Sequence, residues 1–170
     1  MDFLELANKR YSVRSYKSKP IAQKTLHRIL EAVRLAPSGS NRQPWRFVVV
    51  RDADLRQQLM RACAGQRFIA EAPIVIAGVG LMPERVMSCD VPGDPVDVAI
   101  ALEHLALAAA AEGLGTCWIG DFAQNQVRRV LEVPEAAKVI GLMTLGYPAS
   151  SPRPKTRKAL EEIVVYERWP

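Results

Sequence analysis

The chain has little of what many catalytic centres are built from. Two histidines, His27 and His104, and three cysteines, Cys63, Cys89 and Cys117, are spread over 170 residues. No two cysteines stand at Cys-x-x-Cys spacing, so neither a zinc site nor a disulfide framework is indicated, and the thiols read as reduced. Cys89, before a Pro/Gly turn, reads as a buried structural thiol. His104 lies in an apolar helical pattern with no acid or thiol partner nearby, which makes it a structural histidine and leaves no Ser-His or Cys-His pair. No Gly-x-x-x-x-Gly-Lys-Ser/Thr loop occurs, which argues against a nucleoside triphosphatase. The dinucleotide fingerprint fails as well, because Gly113-Leu-Gly115 would need a third glycine where Trp118 stands. Gly113 also ends a helical pattern and precedes a strand, the reverse of the required order.

Long apolar runs are missing too. Residues 98–111 hold twelve apolar side chains in fourteen, but Glu103 and His104 interrupt them, and a span needs about 20. The N-terminal residues lack the charged and apolar regions of a signal peptide. The sequence is therefore read as cytoplasmic and not transmembrane. With 49% apolar and 24% charged residues, and neither repeat nor Gly/Ser linker, residues 1–170 are read as one domain. Two full nucleotide-binding domains do not fit this length.

What the chain does have is basic charge in two places. Its formal net charge is +5. Lys9, Arg10, Arg14, Lys17 and Lys19 form one acid-free stretch, and Arg153, Lys155, Arg157 and Lys158 form another. Both are short and mixed with Ser, Thr or Pro, whereas a nucleic-acid surface more often shows a longer stripe with exposed aromatics. Either each is a solvated face, or the two converge on a single phosphate.

Periodicity gives helices over about 3–10, capped by Asp2, and about 22–35, ended by Pro37 and Gly39. A strand follows over 46–51, then an Asp52-capped helix carrying Leu55, Leu59 and Cys63, and a buried strand over 73–80. Asp94 with Pro95 reads as N-cap and first position of the next helix, with Asp97 in its first turn and Gly113 its stop. This helix has almost no polar face, so it demands cover on more than one side, which a second subunit would supply. Residues 116–119 and 139–146 are further strands, separated by a short helix with Val127, Val130 and Leu131. Residues 163–166 read as an added edge strand.

Two segments carry chemistry. In Arg10-Tyr-Ser12-Val-Arg14, alternate side chains of an extended chain share a side, so Arg10, Ser12 and Arg14 can face one anion. Ala36-Pro-Ser38-Gly-Ser40-Asn41-Arg-Gln43-Pro-Trp45 is a loop of hydroxyls and amides ending in an aromatic. Trp45 fits core packing at a strand entrance and contact with a substrate equally well.

In these residues the sequence resembles the FMN-dependent nitroreductase family in its short-chain form. The resemblance runs in order through Arg-x-Ser-x-Arg at 10–14, Pro37-Ser38-x-x-Asn41-x-Gln43-Pro44-Trp45, Gly65-Gln66-Arg67-Phe68, the Asp97 helix, Gly113-Leu-Gly-Thr-Cys-Trp-Ile-Gly120 and Lys155-x-Arg157. It implies an α+β fold, a mixed β-sheet surrounded by helices in an intertwined homodimer, where alternation alone suggests a doubly wound parallel sheet. It places the FMN phosphate among Arg10, Tyr11, Ser12, Arg14, Lys155 and Arg157. Pro37, Ser38 and Asn41 then resemble the loop that reaches the flavin of the partner subunit. Gln66 resembles the amide at the pyrimidine edge, and Trp118, Ile119 and Gly120 the segment near N5. The activity implied is hydride transfer from NAD(P)H through flavin N5 to a small oxidised acceptor, a nitroaromatic, quinone or similar, by ping-pong kinetics. No side-chain acid or base is demanded, because the cofactor carries the chemistry. An FMN-binding sensor or reservoir with little turnover, and an anion- or nucleic-acid-binding module, are the competing readings.

Overall fold

The computed structural model describes residues 2–152 and 154–169. Four strands form one sheet: β1 (Trp45–Val50), β2 (Ile74–Gly80), β3 (Gly115–Ile119) and β4 (Lys138–Gly146), in the order β1-β2-β4-β3. Each neighbouring pair is antiparallel. The parallel doubly wound sheet suggested by alternation is thus not formed, and the fold is α+β. A single parallel bridge joins Ser12 to Thr116 and lays the 10–14 segment beside the start of β3.

Among the described residues, six α-helices surround the sheet: α1 (Phe3–Lys9), α2 (Gln23–Arg34), α3 (Ala53–Ala62), α4 (Phe68–Glu71), α5 (Gly93–Ala111) and α6 (Gln124–Val130). Local chemistry sets several of their starts. Asp2 and Glu5 make a reciprocal capping box on α1, and Asp52 accepts from Leu55 N–H at the start of α3. Gly113, at φ +75°, turns the chain out of α5.

Strand side chains alternate between two cores. Val75, Ala77 and Val79 of β2 pack with α3, α4 and α6, while Ile74 and Ile76 pack with α2 and α5. With both faces covered, β2 is buried along its whole length, which is why it reads as a continuous apolar run.

Several expectations are corrected. α5 begins one residue before Asp94, with Pro92 at the cap position. Asp94 therefore lies inside the first turn, where it accepts from Met82 N–H at 2.7 Å. Much of the cover demanded by apolar α5 comes from its own chain, since Val98, Leu102, Leu105 and Ala109 are sealed by α2 and the sheet. Residues 163–166 form no strand: a 3₁₀ turn at Leu160–Glu162 is followed by exposed Ile163, Val165 and Tyr166. Their β-branched and aromatic composition suits a strand, but they pair with no strand among the described residues. Cys89 is exposed rather than buried, while Cys63 and Cys117 are buried.

Candidate cofactor site

The two basic stretches meet. Arg10, Tyr11, Ser12 and Arg14 line one pocket of about 480 Å³ together with Lys155 and Arg157, and Ser15, Ser150 and Ser151 complete the wall. No acid lines it. Backbone extension after α1 explains the arrangement: Val13 is buried while Ser12 and Arg14 on either side are exposed, as alternation predicts. The tail is tied down by its own polar contacts. Tyr11 Oη donates to Ser150 O at 2.8 Å, and Lys155 Nζ donates to Asn8 O and Arg10 O at the end of α1. A cation suits those carbonyls, because a helix C-terminus carries partial negative charge. Burial, reinforced by Arg10 and Arg157, holds the Lys155 ammonium below its usual range. Of the second basic stretch, Arg153 lies outside the described residues, and Lys158 does not line the pocket.

From this pocket β3 runs to the other predicted residues. Thr116 sits at the pocket end, bridged to Ser12, and Gly120 lies about 13 Å further on at a rise of about 3.3 Å per residue. The turn bearing Gln66 arrives beside that far end, because Ala123 N–H donates to Ala62 O at 2.8 Å. Gln66 itself is half-buried and donates to Cys63 O. Trp118 is 41% exposed, while Ile119 is buried. Thus Arg10, Tyr11, Ser12 and Arg14 stand at one end of β3 with Lys155 and Arg157. Gln66, Ile119 and Gly120 stand at the other.

The nearby thiols and phenols are held protonated. Cys117 is pushed up by burial, against the opposing pull of Arg14, Ser12 and Arg10, and Cys63 is pushed up to about 12 by burial and by Asp121. Tyr16 is raised by burial, and its hydroxyl is within 2.6 Å of Thr144 Oγ1. His104 is structural, its Nδ1 lying 2.9 Å from Ile100 O. Trp45 is half-buried against Phe47 beside the α2/α5 core.

Pro37, Ser38 and Asn41 are not brought to the pocket of their own chain. They belong to a loop with a 3₁₀ turn at Gly39–Asn41, in which Ser40, Asn41 and Gln43 all have positive φ. Ser38 Oγ accepts from Gln43 N–H at 2.8 Å, and Asp97 Oδ1 accepts from Gly39 N–H at 2.9 Å. The turn is therefore fixed near the start of α5. Arg10 and Tyr11 instead pack beside Ala106 and Ala110 near its end. Asp97 and Ala110 are about 20 Å apart along the helix at about 1.5 Å per residue.

Sequence reasoning missed Ser15, Ser150 and Ser151, although a serine pair just before Lys155 was a usable signal. It also missed Arg85, whose position in an irregular segment gives no periodic cue.

The nitroreductase family model matches residues 7–81 and 64–147. A protein of Thermus thermophilus named NADH dehydrogenase is 32% identical, with 98% of this chain and 96% of that one covered. The FMN reductase [NAD(P)H] of Bacillus subtilis is 29% identical over 89% of this chain and 68% of its own. A crystal structure of a nitroreductase family protein from Clostridium difficile 630 superposes with a TM-score of 0.89 at 31% identity, covering 99% of this chain and all of that one. With its antiparallel sheet and long central helix, the chain belongs to the nitroreductase family. It is thereby a flavin-dependent oxidoreductase.

Proposed function

We propose that the chain is an NAD(P)H-dependent FMN oxidoreductase, a single cytoplasmic domain over residues 1–170 that works as a homodimer on a small oxidised acceptor, a nitroaromatic, quinone or similar. The observation that carries this reading is the acid-free cationic pocket at the start of β3, assembled from segments some 140 residues apart in sequence. Its four cations and its hydroxyls fit a phosphate dianion, and charge-assisted bonds of this kind are the strong ones. The length of β3 then fits an elongated cofactor, with Arg10, Tyr11, Ser12, Arg14, Lys155 and Arg157 on its phosphate and Gln66, Trp118, Ile119 and Gly120 on its ring. The name of the Bacillus subtilis relative, FMN reductase [NAD(P)H], supports FMN and the nicotinamide donor.

Flavin, when bound, supplies the hydride relay from NAD(P)H to acceptor by alternate occupation of one slot, a ping-pong order. The chain's own residues bind and orient. Arg10 and Arg14 neutralise phosphate charge, and Lys155 locks the tail against α1 so that Arg157 faces the same pocket. Gln66 presents an amide at the far end of β3, and exposed Trp118 offers an aromatic wall to the slot. Pro37, Ser38 and Asn41, too far from their own chain's pocket, serve the flavin of the partner subunit. Exposed Ile163, Val165, Tyr166 and Trp169 support that partner, since a cluster of large apolar side chains facing water marks an interaction surface. Among the described residues no helix is long and apolar enough to cross a membrane.

Purified protein should bind FMN, and NADH or NADPH should bleach the oxidised-flavin absorbance within seconds, with colour restored by an acceptor. Bound flavin that is not bleached would leave a sensor or reservoir. A chain that takes up no FMN would refute the proposal.

A further inference from the structure

α5 carries two carboxylates in an otherwise apolar first half, one helical turn apart and both buried: Asp94 is 1% exposed and Asp97 2%. Buried acids are retained only where partners compensate them. Their partners differ. Asp94 Oδ2 accepts from Met82 N–H, beyond the end of β2. Asp97 accepts from Gly39 N–H through Oδ1 and from Arg85 Nη2 through Oδ2. Arg85 lies nearer Asp97, since its Nε is 4.0 Å from Asp94 Oδ1 and neither of those two atoms has a hydrogen-bond partner. The backbone makes room for this arrangement: a Cβ on Gly93 would collide with the Arg85 guanidinium, and one on Gly80 with the Asp94 carboxylate. The guanidinium is itself anchored through its backbone, where Gly93 N–H donates to Arg85 O at 2.9 Å.

The Gly39–Asn41 turn needs such an anchor. Ser40, Asn41 and Gln43 sit at φ 53°, 54° and 51°, a region non-glycine residues adopt only when their surroundings fix them. Among the described residues, the polar contact that ties the Gly39–Asn41 turn itself to α5 is Gly39 N–H to Asp97, while further along the loop Pro44 O accepts from Leu81 N–H at 2.9 Å.

We infer that Asp97, oriented by Arg85, is a positioning residue for the cofactor site: it locks the Gly39–Asn41 turn in the strained form that presents Ser38 and Asn41 to the flavin of the partner subunit. The inference rests on the proposed function for the identity of that ligand. The holding contact exists without it. Asp94 is the internal control, because it is equally buried on the same helix and holds Met82 instead of the turn.

The test compares Asp97→Ala, Asp94→Ala and isosteric Asp97→Asn, each as full-length protein. Two readouts are followed: hydrogen exchange at the Gly39 amide without flavin, and FMN dissociation constant by flavin fluorescence. Both alanine variants lose thermal stability. Asp97→Ala should speed Gly39 exchange and weaken FMN by about tenfold, the consequence of losing a hydrogen bond to a charged acceptor. Asp94→Ala should stay within about twofold of the parent in FMN affinity. Asp97→Asn keeps an oxygen for Gly39 but loses the charge that orients Arg85, and should fall between them. If Asp97→Ala does not fold, the Asn variant carries the comparison. Equal FMN affinity and equal Gly39 exchange in the Asp94 and Asp97 variants would overturn the inference. If the unmodified chain binds no FMN while Gly39 exchange still responds to Asp97, the proposed function has failed and the holding contact has not.

Discussion

The two ends of α5 differ in what fixes the structure around them. Near its C-terminal end, the pocket depends on charge: Arg10, Arg14, Lys155 and Arg157 reach it from two distant segments, and Ser12, Arg14 and Arg157 are exposed. At its N-terminal end, the Gly39–Asn41 turn depends on backbone shape, fixed by buried Asp97. The first arrangement tolerates small displacements because Coulomb attraction varies gently with distance. The second does not, because a hydrogen bond fails within a few tenths of an ångström. The pocket should therefore set affinity, and the turn should set orientation.

Removing charge is the strongest way to break that contrast. Arg14→Ala and Arg157→Ala should each weaken FMN by about tenfold to a hundredfold, since each deletes a charge-assisted bond worth about 1.5 to 3 kcal/mol. Melting temperature without flavin should change little, because both side chains are exposed. Unaltered FMN affinity in both variants, measured by fluorescence titration, would mean that the basic stretches do not share a ligand.

At the other end the expected loss is in stability. Gly93→Ala forces a methyl group into the Arg85 guanidinium and should cost about 1 to 3 kcal/mol in denaturant unfolding, as overpacking usually does. A neutral result would show that Arg85 is free to move.

Much of this was legible in the sequence. The 3.6-residue and two-residue periods located the helices and strands, Asp2 and Asp52 announced their caps, and Arg-x-Ser-x-Arg marked one wall of the pocket. The second basic stretch suggested convergence, although only the fold could bring Lys155 to the end of α1. The failures have physical causes. Asp94 read as a cap because a cap and a first-turn acid look alike before proline. Residues 163–166, Ile-Val-Val-Tyr, have the β-branched and aromatic composition of a strand but pair with no strand among the described residues. The tie between Asp97 and Gly39 spans 58 residues, and no local pattern encodes it.

Smaller, and specific to the pocket, is a dependence on alkali. Burial and neighbouring Arg10 and Arg157 lower the Lys155 pKa from its usual 10.5. A phosphate prefers the protonated ammonium, so FMN affinity should be full at neutral pH and fall as pH climbs through that lowered value. Folding responds with the opposite sign: the lowered pKa is a cost carried while Lys155 is charged in the fold, and it is relieved as pH rises through the same window. Lys155→Arg should flatten the affinity profile between neutrality and pH 10.5. A parent profile that is already flat would remove Lys155 from the phosphate shell.

Under the proposed function one flavin takes its phosphate contacts from one chain and its turn from the other, and subunit mixing separates this arrangement from sites built within a single chain. Asn41→Leu and Arg14→Ala are made separately, each inactive or nearly so, then mixed under conditions where two differently tagged chains confirm exchange. Under the shared-site account, a mixed dimer has one site with both defects and one with neither, so random mixing restores roughly a quarter of all sites. If both residues serve the flavin of their own chain, every site keeps a defect, and confirmed exchange without recovered activity would contradict the account.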